Sequence, residues 1–90
     1  MAEVVHEREV VLVGDDGSTY AVVRAYAQAM PRGGWEGWLE FVPADGPVVV
    51  TQRETTQSKL EDVAYWAEGL EAIYLEGALR RALETPAPAR

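Results

Sequence analysis

The sequence predicts an α+β domain, an antiparallel three- to four-stranded β-meander with a C-terminal helix packed on one face. Three observations predict it. Residues 3–42 carry β-branched and aromatic side chains in stretches where the apolar positions recur every second residue. Short clusters of Gly, Asp and Pro separate these stretches. After residue 58 the apolar spacing changes to that of a helix. With 90 residues, 48% apolar and 26% charged, the chain has the composition of one folded domain, assigned to residues 1–84. A chain this short buries roughly 60–65% of its unfolded surface, so the core is thin.

The first strand is expected over residues 3–13, EVVHEREVVLV. Its alternation is imperfect, but it is rich in valine and lacks a 3.6-residue period. Gly14-Asp15-Asp16-Gly17-Ser18 then forms a turn. Residues 19–29 form the second strand, with Tyr20, Val22, Arg24, Tyr26 and Gln28 on one parity and Ala21, Val23, Ala25, Ala27 and Ala29 on the other. The competing reading is an alanine-rich helix, against which the period of two argues. The small-residue parity implies close approach of a covering helix. Pro31 to Gly34 breaks the chain. Residues 35–42 form the third strand, with Trp35, Gly37, Leu39 and Phe41 opposite Glu36, Trp38, Glu40 and Val42. Pro43 to Pro47 is a turn, and residues 48–52 are a short fourth strand. Tight connections between successive strands make the sheet antiparallel.

Ser58-Lys59-Leu60-Glu61 matches the capping box, with Ser58 as N-cap. A helix is expected from Lys59 to about Glu84, its stripe formed by Leu60, Val63, Ala64, Ala67, Leu70, Ile73, Tyr74 and Gly77. Gly69 costs about 1 kcal/mol relative to alanine inside a helix and marks a place for a break. Residues 85–90, with two prolines, are expected to be a disordered tail.

Charge narrows the function. Fifteen acidic residues against eight basic ones give −7. Phosphate backbones are held by clustered Lys and Arg, and the only adjacent basic pair is Arg80–Arg81. Nucleic acid and anionic membranes are therefore not the expected partners. The chain has no cysteine and one histidine, His6, so thiolate chemistry is excluded and neither a metal site nor a cofactor is expected. The N-terminal residues lack the pattern of a signal peptide, and no apolar run reaches the ~18 residues of a membrane span. The expected compartment is the cytoplasm.

The polar segment from Gln52 to Ser58 is the candidate site. It is expected to lead from a strand end to a helix N-terminus, where free N–H groups favour anions. Arg53, Thr55, Thr56 and Ser58 could add donors to a ligand or anion. The competing reading is that these residues only cap the helix and satisfy the turn. Glu36, Glu40 and Glu54 are carboxylates near aromatics. Glu36 and Glu40, four apart on a strand, lie about 13 Å apart, beyond the roughly 5 Å of a retaining glycosidase pair. The competing reading is solvated acids. His6 lies among Glu3, Glu7 and Glu9 without a recognisable catalytic partner. A pocket lined by Trp38, Tyr65 and Trp66 competes with a core or interface role for the tryptophans. No constellation marks an enzyme.

Leu75, Ala78, Leu79 and Ala82 form a second apolar stripe, expected opposite the first. They are the expected interface of a homo-oligomer, most simply a two-fold dimer. A monomer with scattered surface apolar residues is the competing reading.

Three stretches carry a resemblance: Trp35 to Pro43 (WEGWLEFVP), Thr51 to Gln57 (TQRETTQ) and Tyr65 to Leu79 (YWAEGLEAIYLEGAL). Over residues 19–84 the chain resembles a family of short bacterial proteins, a likeness that implies no particular activity and assigns no functional residue. In architecture it is similar to HicB-type antitoxin domains, which implies a three-stranded sheet with a helix, dimer formation and a protein partner. The glycine-centred strand motif and the appended DNA-binding segment of that family are not evident here, so the likeness implies no repressor role.

Overall fold

A computed structural model describes residues 1–85 and 87. Three long strands, β1 (Glu3–Val13), β2 (Thr19–Ala29) and β3 (Trp35–Pro43), form an antiparallel meander. The far side of β3 is shared by two short strands, β4 (Val49–Val50) and β5 (Thr55–Gln57), both antiparallel to it. Helices α1 (Leu60–Glu68) and α2 (Ala72–Glu84) complete the α+β fold. The expected fourth strand over 48–52 shrinks to two residues, because Thr51 turns its hydroxyl to accept the Leu39 N–H at 3.0 Å. The tail expected over 85–90 lies largely outside the described residues.

The turn after β2 depends on glycine. Met30 N–H donates to the Gly34 carbonyl at 2.9 Å, and both Gly33 and Gly34 have positive φ, where a side chain is strained.

Three irregularities in register decide which side chains reach the core. Between Val4 and His6, and again between Glu9 and Leu12, β1 carries one residue more than β2. Between Tyr20 and Val22, β2 carries one more than β3. Each extra residue reverses the parity of the strand residues beyond it. Tyr20 thereby joins Val23 and Ala25 in the core, although strict alternation sets it on the opposite parity, and Val5 packs there alongside Val10 and Leu12. Leu39 and Phe41 face the same core, closed by Ala67, Leu75, Ala78 and Leu79 of the helices.

The small-residue parity of β2 is explained by this packing: Ala25 and Ala27 are buried. Gly37 goes further. A Cβ built there would lie 2.7 Å from Val63 Cγ1 and 3.0 Å from Thr55 Cγ2, so only glycine admits α1 at this depth.

The helical segment is broken around Gly69, which is the C-cap of α1. The capping box does not form. Lys59 is the N-cap, and neither Ser58 nor any other side chain caps α1. Strand pairing of β5 ends at Gln57, which places the helix start one residue beyond the expected cap. At the other end Arg8 reaches up from β1 and donates to the carbonyls of Ala67 at 2.5 Å and Leu70 at 2.9 Å. A cation there satisfies free carbonyls and complements the helix dipole.

The break also overturns the expected interface. Leu75, Ala78, Leu79 and Ala82 are each at most 3% exposed within the single chain. They are the core face of α2, not a free stripe. The expected stripe also puts Ile73 inside, but on α2 it lies about 140° round the helix from the buried Ala78. Ile73 is 78% exposed.

Candidate functional site

Three of the seven residues of segment 52–58 form strand β5, so the segment is not one open loop leading into a helix. Thr55, Thr56 and Gln57 pair with Gly37, Glu36 and Trp35 of β3, because alternating polar residues at a sheet edge can satisfy both the ladder and water. Thr55 Oγ1 accepts a hydrogen bond from the Gln57 side chain at 2.8 Å. Thr56 and Ser58 are exposed. Arg53 reaches Glu36, Nε to Oε1 3.5 Å. The four candidate donors, Arg53, Thr55, Thr56 and Ser58, therefore do not converge on one point.

Arg53 alone borders a cleft of about 320 Å³, between the 51–54 segment and the C-terminal end of α2. Its walls include Gln52, Glu54, Arg81 and Glu84. At its back Glu54, with its side chain 8% exposed, accepts hydrogen bonds from Tyr74 Oη at 2.6 Å and Arg81 Nη2 at 2.5 Å. The Arg81 guanidinium also lies 5.7 Å from the Tyr74 ring centre, and Tyr74 meets Trp66 edge-on. Burial, reinforced by the bond to Glu54, pushes the Tyr74 phenol up to about 12. Tyr74 is thus a fixed donor rather than a proton acceptor. From the sequence Glu54 stands out only as a carboxylate near aromatics, Tyr74 only as a helix-stripe residue and Arg81 only as half of a basic pair. The seven-residue spacing of Tyr74 and Arg81, which places both on one side of α2, was the available signal.

The sheet face away from the helices carries a second polar array. Arg24 bridges Glu7 at 2.7 Å and Glu40 at 3.1 Å, and Tyr26 Oη donates to the same Glu40 at 3.2 Å. The bonds to Glu7 and Glu40 hold the Arg24 guanidinium in its charged form, its pKa raised. Tyr26 stacks on Trp38 with centroids 5.8 Å apart and planes 8° from parallel. The aromatic pocket expected from Trp38, Tyr65 and Trp66 does not form. Trp38 lies on this outer face with Tyr26, Trp66 packs against the core on the helix side, and Tyr65 is exposed. Glu36 and Glu40 are held by different arginines, Arg53 and Arg24.

β1 exposes valines at both of its ends, Val4 at 48% near its start and Val11 and Val13 near its end. Val11 is 94% and Val13 64% exposed. They border a groove of about 350 Å³ between the end of β1 and α2, whose floor includes Leu12, Leu79 and Leu83 and whose rim carries Asp15, Glu76 and Arg80.

Among the described residues no group of three or more His, Asp or Glu side chains is placed to hold a metal ion, and no helix is long and apolar enough to cross a membrane. Compared with protein-family models, with curated proteins and with solved structures, the chain matches none. The geometry alone therefore carries the functional reading.

Proposed function

We propose that this chain is a small acidic interaction module, not an enzyme on its own, and that it works as a homo-oligomer in the cytoplasm. The observation that supports this is the division of labour among its side chains. Several arginines and glutamates hold one another: Arg24 with Glu7 and Glu40 on the outer sheet face, Arg53 with Glu36, and Arg81 with Glu54. What the surface offers instead is apolar area at Val11 and Val13, the kind of feature that marks a protein contact. The likeness to HicB-type antitoxin domains makes a small toxin-like protein the first heterologous partner class to test.

Light scattering on the eluting protein tests self-association. The expected mass is twice 9.9 kDa, and a 9.9 kDa species throughout the accessible concentration range contradicts the reading. Affinity capture from the native host separates partner classes. Recovery of a toxin-like protein supports the antitoxin reading, and recovery of a metabolic enzyme contradicts it.

A second reading rests on the cleft beside Arg53. Arg53 and Arg81 on its walls suit a small anion better than the dispersed hydroxyls of Thr55, Thr56 and Ser58 do. Titration with inorganic phosphate, followed by backbone amide shifts, decides it. Saturable shifts at Gln52, Arg53 and Arg81 support an anion site, and unchanged spectra contradict it.

A further inference from the structure

We infer that the free edge of β4, with the apolar groove beside it, is the docking site of the chain's own segment beyond α2. Ala87 is the point of attachment, and the contact closes this sheet edge to other strands.

The ladder defines the site. β4 is the last strand of the sheet on its side and pairs with β3. The Thr51 N–H donates to the Leu39 carbonyl at 2.9 Å, so Thr51 turns its backbone toward β3. Backbone groups alternate in direction along an antiparallel strand. Val50, opposite Glu40, therefore points its N–H and C=O off the edge. Unpaired edge groups of this kind are a template for a further strand. The edge is apolar as well, since β4 is two valines and the preceding Val48 is 46% exposed.

The occupant is marked by where Ala87 sits. Its N–H donates to the Val50 carbonyl over a long 3.4 Å. The residue is half-buried, and it borders a groove of about 260 Å³ together with Val48, Val49, Val50, Ala82 and Leu83. The N–H and the methyl thus meet the same place, one on the edge and one in the groove. The end of α2 delivers the segment there. The Thr85 N–H donates to the Arg81 carbonyl at 2.8 Å and closes the last turn, while the Arg81 side chain is held by Glu54.

The sequence suits this task. In Pro86-Ala87-Pro88 the alanine is the one residue with an N–H to give. Proline lacks that donor and is a usual block on an open sheet edge. A segment of this composition can satisfy one edge carbonyl without offering a new ladder in its place.

The test compares the full chain with Ala87→Pro, which removes the N–H, Ala87→Gly, which keeps it, and a chain ending at Thr85. All of them retain every strand and helix, because α2 ends at Glu84, and circular dichroism checks the fold. The Ala87 amide of the full chain is expected to exchange at least about threefold more slowly than an unstructured amide. The Val50 carbonyl carbon resonance is expected to move in A87P and to stay near its original position in A87G. An Ala87 amide that exchanges at the unstructured rate, or a Val50 resonance that A87P leaves in place, overturns the docking. The chain ending at Thr85 is expected to form larger species than the full chain, as read by light scattering at matched concentrations. Equal masses over the whole concentration range overturn the closure of the edge. The reference is the full chain's own mass, so the result is independent of whether the full chain is a monomer or a dimer.

Discussion

Gly37 shows how much one residue settles. The missing side chain lets Val63 of α1 sit where a Cβ would lie 2.7 Å away, and both Gly37 and Val63 are buried. Gly37→Ala therefore forces helix and sheet apart, and the expected cost is about 1–3 kcal/mol, the range for overpacking a close-packed core. Urea unfolding measures it, and an unchanged midpoint contradicts the packing described. Tyr74 gives a pH prediction. Its pKa rises from 10 in the unfolded chain to about 12 in the fold. The neutral phenol is thus the form the fold favours, so its contribution is complete below pH 10 and is lost as pH rises from 10 to about 12. Tyr74→Phe should flatten part of the fall in stability over that window, as read by thermal melts from pH 9 to 12. An identical slope in wild type and variant removes the role given to burial and to Glu54.

At the scale of elements, the ends of α1 are held differently from what local sequence suggests. The Ser58–Glu61 spacing has the capping signature, yet the strand pairing of β5 runs to Gln57 and the helix starts after Lys59. Ser58→Ala should consequently change stability by less than about 0.5 kcal/mol, where a working N-cap loses about 1 kcal/mol. Arg8→Ala should cost more, about 1–3 kcal/mol, because charged donors to two carbonyls at the α1–α2 break are lost. Denaturant titration of the two variants side by side tests the assignment, and a larger loss for S58A than for R8A reverses it.

The strands that alternate clearly were legible in the sequence: β2 and β3 lie within one residue of their expected bounds, and Gly69 marked the break between the helices. What was not legible came from tertiary contact. β5 is three polar residues with no apolar alternation, and only β3 beside it makes it a strand. Tyr20 and Val5 reach the core through single-residue bulges, which no periodicity argument registers. Leu75, Ala78, Leu79 and Ala82 were recognised as one apolar face, but their partner was misassigned. Their burial within the single chain makes that partner the core of this same chain. Of the site candidates, Arg53 reaches a cleft, while Glu54, Tyr74 and Arg81 come together only through the fold from positions up to 27 residues apart.

For the whole molecule, the proposed function makes the apolar end of β1 the contact surface to test first, against a second copy of the chain. Both helices cover one face of the sheet. The other face carries the Glu7–Arg24–Glu40–Tyr26 array and the Tyr26–Trp38 stack, and the most exposed large apolar side chain in any strand is Val11, near the end of β1. A dilution series of amide spectra of the full chain, from about millimolar to micromolar, tests this most directly. The expected result is concentration-dependent shifts confined to residues 9–15 and to Glu76, Arg80 and Leu83 around the groove, with α1 unchanged. Spectra that superimpose at every concentration, or shifts centred on Tyr65 and Ile73 instead, would contradict it.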